Sequence, residues 1–152
     1  SYKGFDLNIT GAGAFGQQIA KSYRSFADSP LQNYTTDIFG RWTGEGTSNK
    51  LPRLTSGSHT NWQNISDIYI EDGDYLKIQN LTIGYDFKKL FPTMPLGQAR
   101  LYLTAQNLFT FTGYSGMDPE IGYGYDKSWV SGIDLGYYPS PRTYMVGVNL
   151  KF

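Results

Sequence analysis

Apolar and polar residues alternate with period two in four stretches of this chain, the signature of β-strands with one apolar face. In the first, Phe5, Leu7 and Ile9 alternate with Asp6, Asn8 and Thr10, and a Gly/Ala run from Gly11 to Ala14 continues to Phe15. The second runs from about Tyr75 to Phe87, with Leu81, Ile83, Tyr85 and Phe87 on one side and Thr82, Gly84 and Asp86 on the other. Near its start the apolar parity changes to Leu76 and Ile78, which predicts either a β-bulge near Asn80 or a part of the strand that projects beyond a membrane. The third, from Ala99 to about Thr112, sets Leu101, Leu103 and Ala105 in a row, interrupted by Asn107 and resumed by Phe109 and Phe111. Tyr75-Leu76-x-x-Gln79-Asn80-Leu81 and Tyr102-Leu103-x-x-Gln106-Asn107-Leu108 share one spacing, although two copies do not establish a repeat. The fourth strand, Arg142 to Phe152, is unbroken. Tyr144, Val146, Val148, Leu150 and Phe152 take one face, and Thr143, Met145, Gly147, Asn149 and Lys151 take the other.

The connections differ sharply in length. Gly16 to about Asp74 is mostly polar, with a short helix expected near Gln17 to Phe26, and Gly113 to Pro141 is a second long loop rich in Gly, Tyr, Asp and Pro. Lys88 to Gln98 holds Pro92, Pro95 and Gly97 and reads as a short turn. Long structureless loops argue against a compact soluble domain, yet they are normal on the outer side of a membrane barrel, whose inner turns are short. The pattern therefore predicts an all-β fold, an antiparallel transmembrane β-barrel with about four spanning strands here and long extracellular loops. The turn at Lys88 to Gln98 is then periplasmic, and the last strand runs toward the periplasm with its apolar face in lipid. A freestanding secreted β-sandwich that binds carbohydrate is the alternative, because one-sided alternation suits it equally well.

Composition supports the barrel and excludes other classes. Aromatic residues make up 16% of the chain and Gly is abundant, which suits β-structure with aromatic belts. Thirteen basic residues balance thirteen acidic ones, so no net field draws the chain to nucleic acid. Cys is absent, which removes disulfides, thiolate metal sites and Cys nucleophiles. No segment approaches the roughly 20 apolar residues of a spanning helix, and Ser1-Tyr2-Lys3-Gly4 lacks signal-peptide architecture.

Candidate chemistry is sparse. Glu71-Asp72-Gly73-Asp74 gathers carboxylates but lacks the regular ligand spacing of a Ca²⁺ loop and reads as a turn entering the second strand. His59 is the single imidazole and is expected to be a solvated loop residue. Asp118 and Glu120 form a carboxylate pair, but no catalysis, metal or cofactor is assigned. The external loops carry Trp42, Trp62, Tyr114, Tyr123, Tyr125, Trp129, Tyr137 and Tyr138, whose faces suit stacking on sugar rings or a partner. Of these, Trp42, Trp62, Tyr114, Trp129, Tyr137 and Tyr138 are the candidates for ligand or partner contact. Phe152 is expected to complete a signal read by the outer-membrane assembly machinery.

Several motifs resemble one family. Glu71 to Tyr85 is similar to the late barrel region of SusC/RagA-type TonB-dependent transporters. Further matches follow in the family's order: Pro52-Arg53-Leu54-Thr55, then Ala105 to Gly116 with Asp118-Pro119-Glu120, then Tyr138 to Tyr144. Tyr2-Lys3-Gly4-Phe5-Asp6-Leu7 fits an earlier strand. The resemblance implies a plugged barrel of about 22 strands in the outer membrane of a Gram-negative bacterium. It further implies a SusD-like lid lipoprotein as partner, oligosaccharides or peptides as substrate, and energy delivered by the TonB complex through the plug. Residues 1–152 are then expected to be the C-terminal part of the barrel domain, with the plug and earlier strands absent. Four strands cannot close a barrel, since the smallest have about eight, so the remainder of the same barrel is an expected partner.

Overall fold

The computed structural model describes residues 1–27, 34–54, 64, 66–120 and 132–152. Its strands and helix are β1 (Phe5–Ala14), β2 (Gln18–Lys21), α1 (Ser22–Ala27), β3 (Ile70–Asp72), β4 (Tyr75–Asp86), β5 (Gln98–Thr112), β6 (Ile133–Asp134) and β7 (Thr143–Lys151). They fall into two compact units. One comprises residues 1–15, 75–112 and 139–152, and the other comprises residues 16–74 and 113–138.

The first unit is a four-stranded antiparallel sheet in the order β1-β4-β5-β7. Its strands have 10, 12, 15 and 9 residues, within or above the roughly 9 to 11 that cross a bilayer. The register converts the period-two patterns into rows across the sheet. Phe5, Tyr85, Leu101 and Val148 lie side by side, as do Leu7, Ile83, Leu103 and Val146, and then Ile9, Leu81, Ala105 and Tyr144. Most of this apolar face is exposed, Val146 to 72%. A sandwich buries such a face in its core, so the alternative fold is not the one adopted. The intervening rows are more polar: Asn8, Thr82, Thr104 and Met145, then Thr10, Asn80, Gln106 and Thr143.

The parity change in β4 is a bulge. Against β1 the register slips between Thr10 and Gly11, which face Asn80 and Ile78, so Gln79 is the extra residue. Against β5 the same point slips the other way, with Ile78 opposite Phe109 and Asn80 opposite Gln106, which leaves Asn107 and Leu108 facing Gln79. Asn107 has φ +52°, a left-handed conformation that Asn tolerates better than most residues. The interruption in the apolar row of β5 and the parity switch in β4 are thus one distortion shared by neighbouring strands. Both copies of the Gln-Asn-Leu motif sit at it. Beyond the bulge Ile78 pairs with Phe109 and Leu76 with Phe111, which keeps apolar side chains in common rows.

At the other end of the sheet β4 and β5 are joined by the expected short connection. Asp86 accepts from the backbone N–H groups of Lys88 and Ala99 at 3.0 and 3.4 Å, and Lys88 Nζ donates to the Met94 carbonyl at 2.6 Å. Phe87 begins a 3-10 turn here and lies outside β4. Its ring packs edge-on against Tyr85, which in turn meets Phe5 at 4.4 Å between centroids. Such a cluster near the strand ends suits an interfacial aromatic girdle.

The second unit holds regular structure in stretches whose polarity and lack of periodicity predict loop. β2 pairs antiparallel with β3 and parallel with β6, around a completely buried Ile19. The helix expected over Gln17 to Phe26 is only α1. Its first half is instead β2, because Gln18, Ile19 and Ala20 are claimed by backbone pairing with residues some 50 to 110 positions away. Two 3-10 turns, Thr36–Gly40 and Asp67–Tyr69, complete the described structure, the second capped by the Ser66 side chain.

Candidate functional site

On the polar face of the sheet, Arg100 of β5 reaches across β4 to Asp6 of β1 and makes a two-pronged ion pair, Nε to Oδ1 at 2.8 Å and Nη2 to Oδ2 at 2.6 Å. Gly84 makes the crossing feasible. A Cβ on that residue would sit 2.5 Å from both Arg100 Nη2 and Asp6 Oδ1. The Arg100 guanidinium also lies 5.0 Å from the Tyr102 ring centroid. Tyr102 in turn lies over Gly147 of β7, where a Cβ would be 2.3 Å from the phenol carbon. Thr82 and Thr104 share a hydrogen bond at 2.9 Å between these layers. All four strands are therefore linked by side chains on the face that suits a wet lumen. At the bulge, Asn107 Nδ2 donates to the Pro141 carbonyl at 3.0 Å and ties the approach to β7 against β5.

In the second unit every carboxylate of Glu71-Asp72-Gly73-Asp74 is occupied. Lys21 Nζ pairs with Glu71 and donates to Ser115 Oγ, while Ser115 donates to Glu71 through its backbone N–H at 3.0 Å and its hydroxyl at 2.9 Å. Burial would raise the Glu71 carboxyl, but the hydrogen bonds from Lys21 and Ser115 outweigh it and hold the group below its ordinary 4.5. Asp72 accepts from the Asp74 N–H, and Asp74 accepts from the N–H groups of Gly16 and Gln17. The turn expected over the whole motif is confined to Gly73 and Asp74, because Glu71 and Asp72 pair with β2 as part of β3. Among the described residues no group of three or more His, Asp or Glu side chains is placed to hold a metal ion.

The aromatic candidates separate. Tyr114 is 6% exposed, and its hydroxyl donates to the buried Asp134 Oδ2 at 2.7 Å. Burial, followed by this anionic acceptor, pushes its phenol well above the ordinary range. Its place is inside the unit. Tyr138 is 91% exposed, and Trp42 and Tyr137 are also exposed. Trp62, Trp129, Tyr123, Tyr125 and His59 lie outside the described residues. Asp118 caps its own turn by accepting from the Glu120 N–H at 3.0 Å.

Two adjoining concavities open in this unit. One, of about 680 Å³, is lined by the ion-paired Lys21, Glu71, Arg24 and Asp37, with Lys50 and Asp67. The other, of about 710 Å³, has Trp42 on its wall with Asn49, Lys50, Arg53 and Asn64. No sequence signal marked Lys50 or Asn49, because the loop that gathers them has no periodicity. Arg53 was visible only as part of a resembling motif.

No protein-family model matches the chain. It is 35% identical over 156 residues to TonB-dependent receptor P3 of Formosa agariphila, an alignment that takes in 99% of this chain and 15% of the relative. To TonB-dependent receptor SusC of Bacteroides thetaiotaomicron it is 28% identical, over 99% of this chain and 14% of that protein. A solved structure of the RagAB peptide transporter superposes with TM-score 0.74 at 25% identity, covering all of this chain and 16% of the other. The RagAB peptide importer in its closed-closed state gives TM-score 0.74 at 26% identity, again over all of this chain and 16% of the other. The chain thus spans about 15% of the length of the curated relatives it matches. Its antiparallel sheet and lipid-type rows define a piece of a transmembrane β-barrel, similar along the whole chain to a segment of TonB-dependent receptors. Within that class the chain is similar to SusC and to the RagAB transporter.

Proposed function

We propose that residues 1–152 form the C-terminal part of the barrel domain of an outer-membrane importer in a Gram-negative bacterium. The importer takes up oligosaccharides or peptides with energy from the TonB complex. The observation that carries this reading is the register of the first unit, which aligns the apolar positions of four strands into exposed rows. In this reading the plug and the earlier strands belong to the rest of the full-length protein, and the open edges of β1 and β7 pair with other strands of the barrel, since an unpaired edge in lipid costs several kcal/mol per group. Tyr144, Val146, Val148, Leu150 and Phe152 face outer-membrane lipid and present the assembly signal.

The second unit supplies external surface. Trp42, Tyr137 and Tyr138, together with Trp62 and Trp129, contact the ligand or a SusD-like lid lipoprotein, whereas Tyr114 is committed to Asp134 inside the unit. No reaction is assigned to the chain. The relatives are named as receptors and transporters. The test is growth on single oligosaccharide and peptide sources. Deleting the receptor gene abolishes growth on at least one source, and the gene restores it only in cells with a working TonB. Restoration that is indifferent to TonB overturns the import reading, and failure of any lipoprotein to co-purify with the receptor overturns the lid.

A further inference from the structure

The four-stranded unit is strongly basic, although the whole chain balances thirteen basic residues against thirteen acidic ones. Residues 1–15, 75–112 and 139–152 hold seven Lys and Arg side chains and two carboxylates, Asp6 and Asp86. Both carboxylates are committed, Asp6 to Arg100 and Asp86 to the backbone N–H groups of Lys88 and Ala99. Besides the ion-paired Arg100, four cations gather at the end of the sheet that carries the short connection between β4 and β5: Lys3, Lys88, Lys89 and Lys151. The opposite end has the buried Lys77 and Arg142, whose guanidinium lies 5.9 Å from the Phe109 ring centroid.

Two turns are fastened together at the basic end. Tyr2 and Phe5 exchange backbone hydrogen bonds at 2.8 and 2.9 Å, with Lys3 and Gly4 between them at φ +49° and +94°, as a two-residue hairpin turn requires. The Asp86 N–H donates to the Gly4 carbonyl at 2.8 Å, and a Cβ on Gly4 would lie 3.1 Å from the Cβ of Lys89. The Lys89 stem therefore runs against the turn that carries Lys3. Both lysines are exposed, and neither forms an ion pair among the described residues. The Lys3 ammonium stands 5.3 Å from the Tyr2 ring centroid, whereas that of Lys88 donates to the Met94 carbonyl. Tyr2, Phe5, Leu90 and Phe91, on the same two turns and their flanks, are each more than half exposed.

We propose that this end of the sheet binds the phosphate headgroup of an anionic glycerophospholipid, with Lys3 and Lys89 on the phosphate and Tyr2, Phe5, Leu90 and Phe91 against the acyl chains just below it. The proposal rests on the barrel-wall reading, in which the short connections are periplasmic and the row of Phe5, Tyr85, Leu101 and Val148 is the last lipid-facing row before the headgroups. Aromatic rings favour that interface, and lysine stems lie along apolar surface while their ammonium groups reach headgroup level. The unit leaves no carboxylate for these two ammonium groups, and phosphate oxygens accept charge-assisted hydrogen bonds from them. A zwitterionic headgroup carries its own cation and gains less. Continuity with the exposed apolar rows favours lipid over an acidic protein, which would have to displace lipid from Phe5 to reach both cations.

The test uses the full-length receptor reconstituted in phosphatidylcholine bilayers doped with a small fraction of phosphatidylglycerol that carries a photoreactive group on its acyl chain near the headgroup. Phosphatidylcholine with the same photoreactive group is the comparison. The expected result is crosslinking of phosphatidylglycerol, in preference to phosphatidylcholine, on the peptides that carry Tyr2 to Phe5 and Phe87 to Phe91. In the Lys3→Gln/Lys89→Gln variant this crosslinking falls about tenfold or more, while crosslinking near Val146 of β7 stays as in wild type. The folded state of the variant is checked by the heat-dependent mobility of the barrel on a gel. Equal crosslinking of the two lipids at the turns, none of either, or an unchanged yield in the double variant overturns the site. Displacement of the lipid by a soluble Glu-rich peptide assigns the patch to an acidic protein and also overturns it. The barrel-wall reading is judged separately, at Val146. Crosslinks there without a lysine-dependent signal at the turns retain the wall and reject this site, whereas absence of lipid from Val146 rejects the wall itself.

Discussion

Single residues set both the wall and the loop unit. Gly84 lies under the Asp6–Arg100 pair, with 2.5 Å between a would-be Cβ and each partner, so Gly84→Ala has to displace an ion pair fixed at both ends on neighbouring strands. In the full-length receptor this substitution is expected to lower the thermal midpoint of barrel unfolding, followed by gel mobility. Gly113→Ala, where nothing lies within 4 Å, leaves the midpoint unchanged. Equal midpoints for the two variants would mean that the pair contributes nothing to the wall. In the loop unit the Glu71 carboxyl is held below its ordinary 4.5. A carboxyl whose folded value is depressed contributes stability above its unfolded value and loses it as pH falls through the folded one. Hydrogen-exchange protection of the Ser115 amide, which donates to Glu71, is therefore full near neutral pH and lost only below 4.5. Glu71→Gln removes that pH dependence. Protection lost already near pH 6, roughly the histidine range, would assign the transition to another group.

Among the elements, β7 offers the sharpest contrast between faces. Val148 is in the exposed apolar row with Leu101, whereas its neighbour Asn149 pairs with Arg100 in a polar row. Val148→Arg places a cation on the lipid face at a cost of about 2 to 4 kcal/mol near mid-bilayer and is expected to impair assembly, measured as the folded fraction in outer-membrane preparations. Asn149→Lys is expected to be tolerated. Equal assembly of the two variants would contradict the assigned facing. The spanning strands were legible in the sequence to within one or two residues, because a lipid face and a wet face impose period two on every residue of a long strand. The shared bulge was legible only as a parity switch near Asn80 and a polar break at Asn107, since its cause is the offset of two registers. β2, β3 and β6 were not legible at all. They are two to four residues long, too short for a period, and they exist because of partners far away in the chain. The same distance hid the Asp6–Arg100 and Lys21–Glu71 pairs, whose members are separated by 94 and 50 positions.

For the whole molecule, the central claim is that this sheet is barrel wall, with one face in lipid and one in a wet lumen. The chain spans about 15% of the length of its curated relatives. Because this chain has no Cys, single cysteines can be introduced one at a time from Thr143 to Lys151 in an otherwise cysteine-free full-length receptor, spin-labelled and reconstituted in lipid. Quenching by oxygen, which partitions into lipid, is then compared with quenching by a water-soluble nickel chelate. The account predicts a period of two, with oxygen dominant at Tyr144, Val146, Val148 and Leu150 and nickel dominant at Thr143, Met145, Gly147 and Asn149. Uniform access to nickel along β7, or the opposite phase, would contradict it.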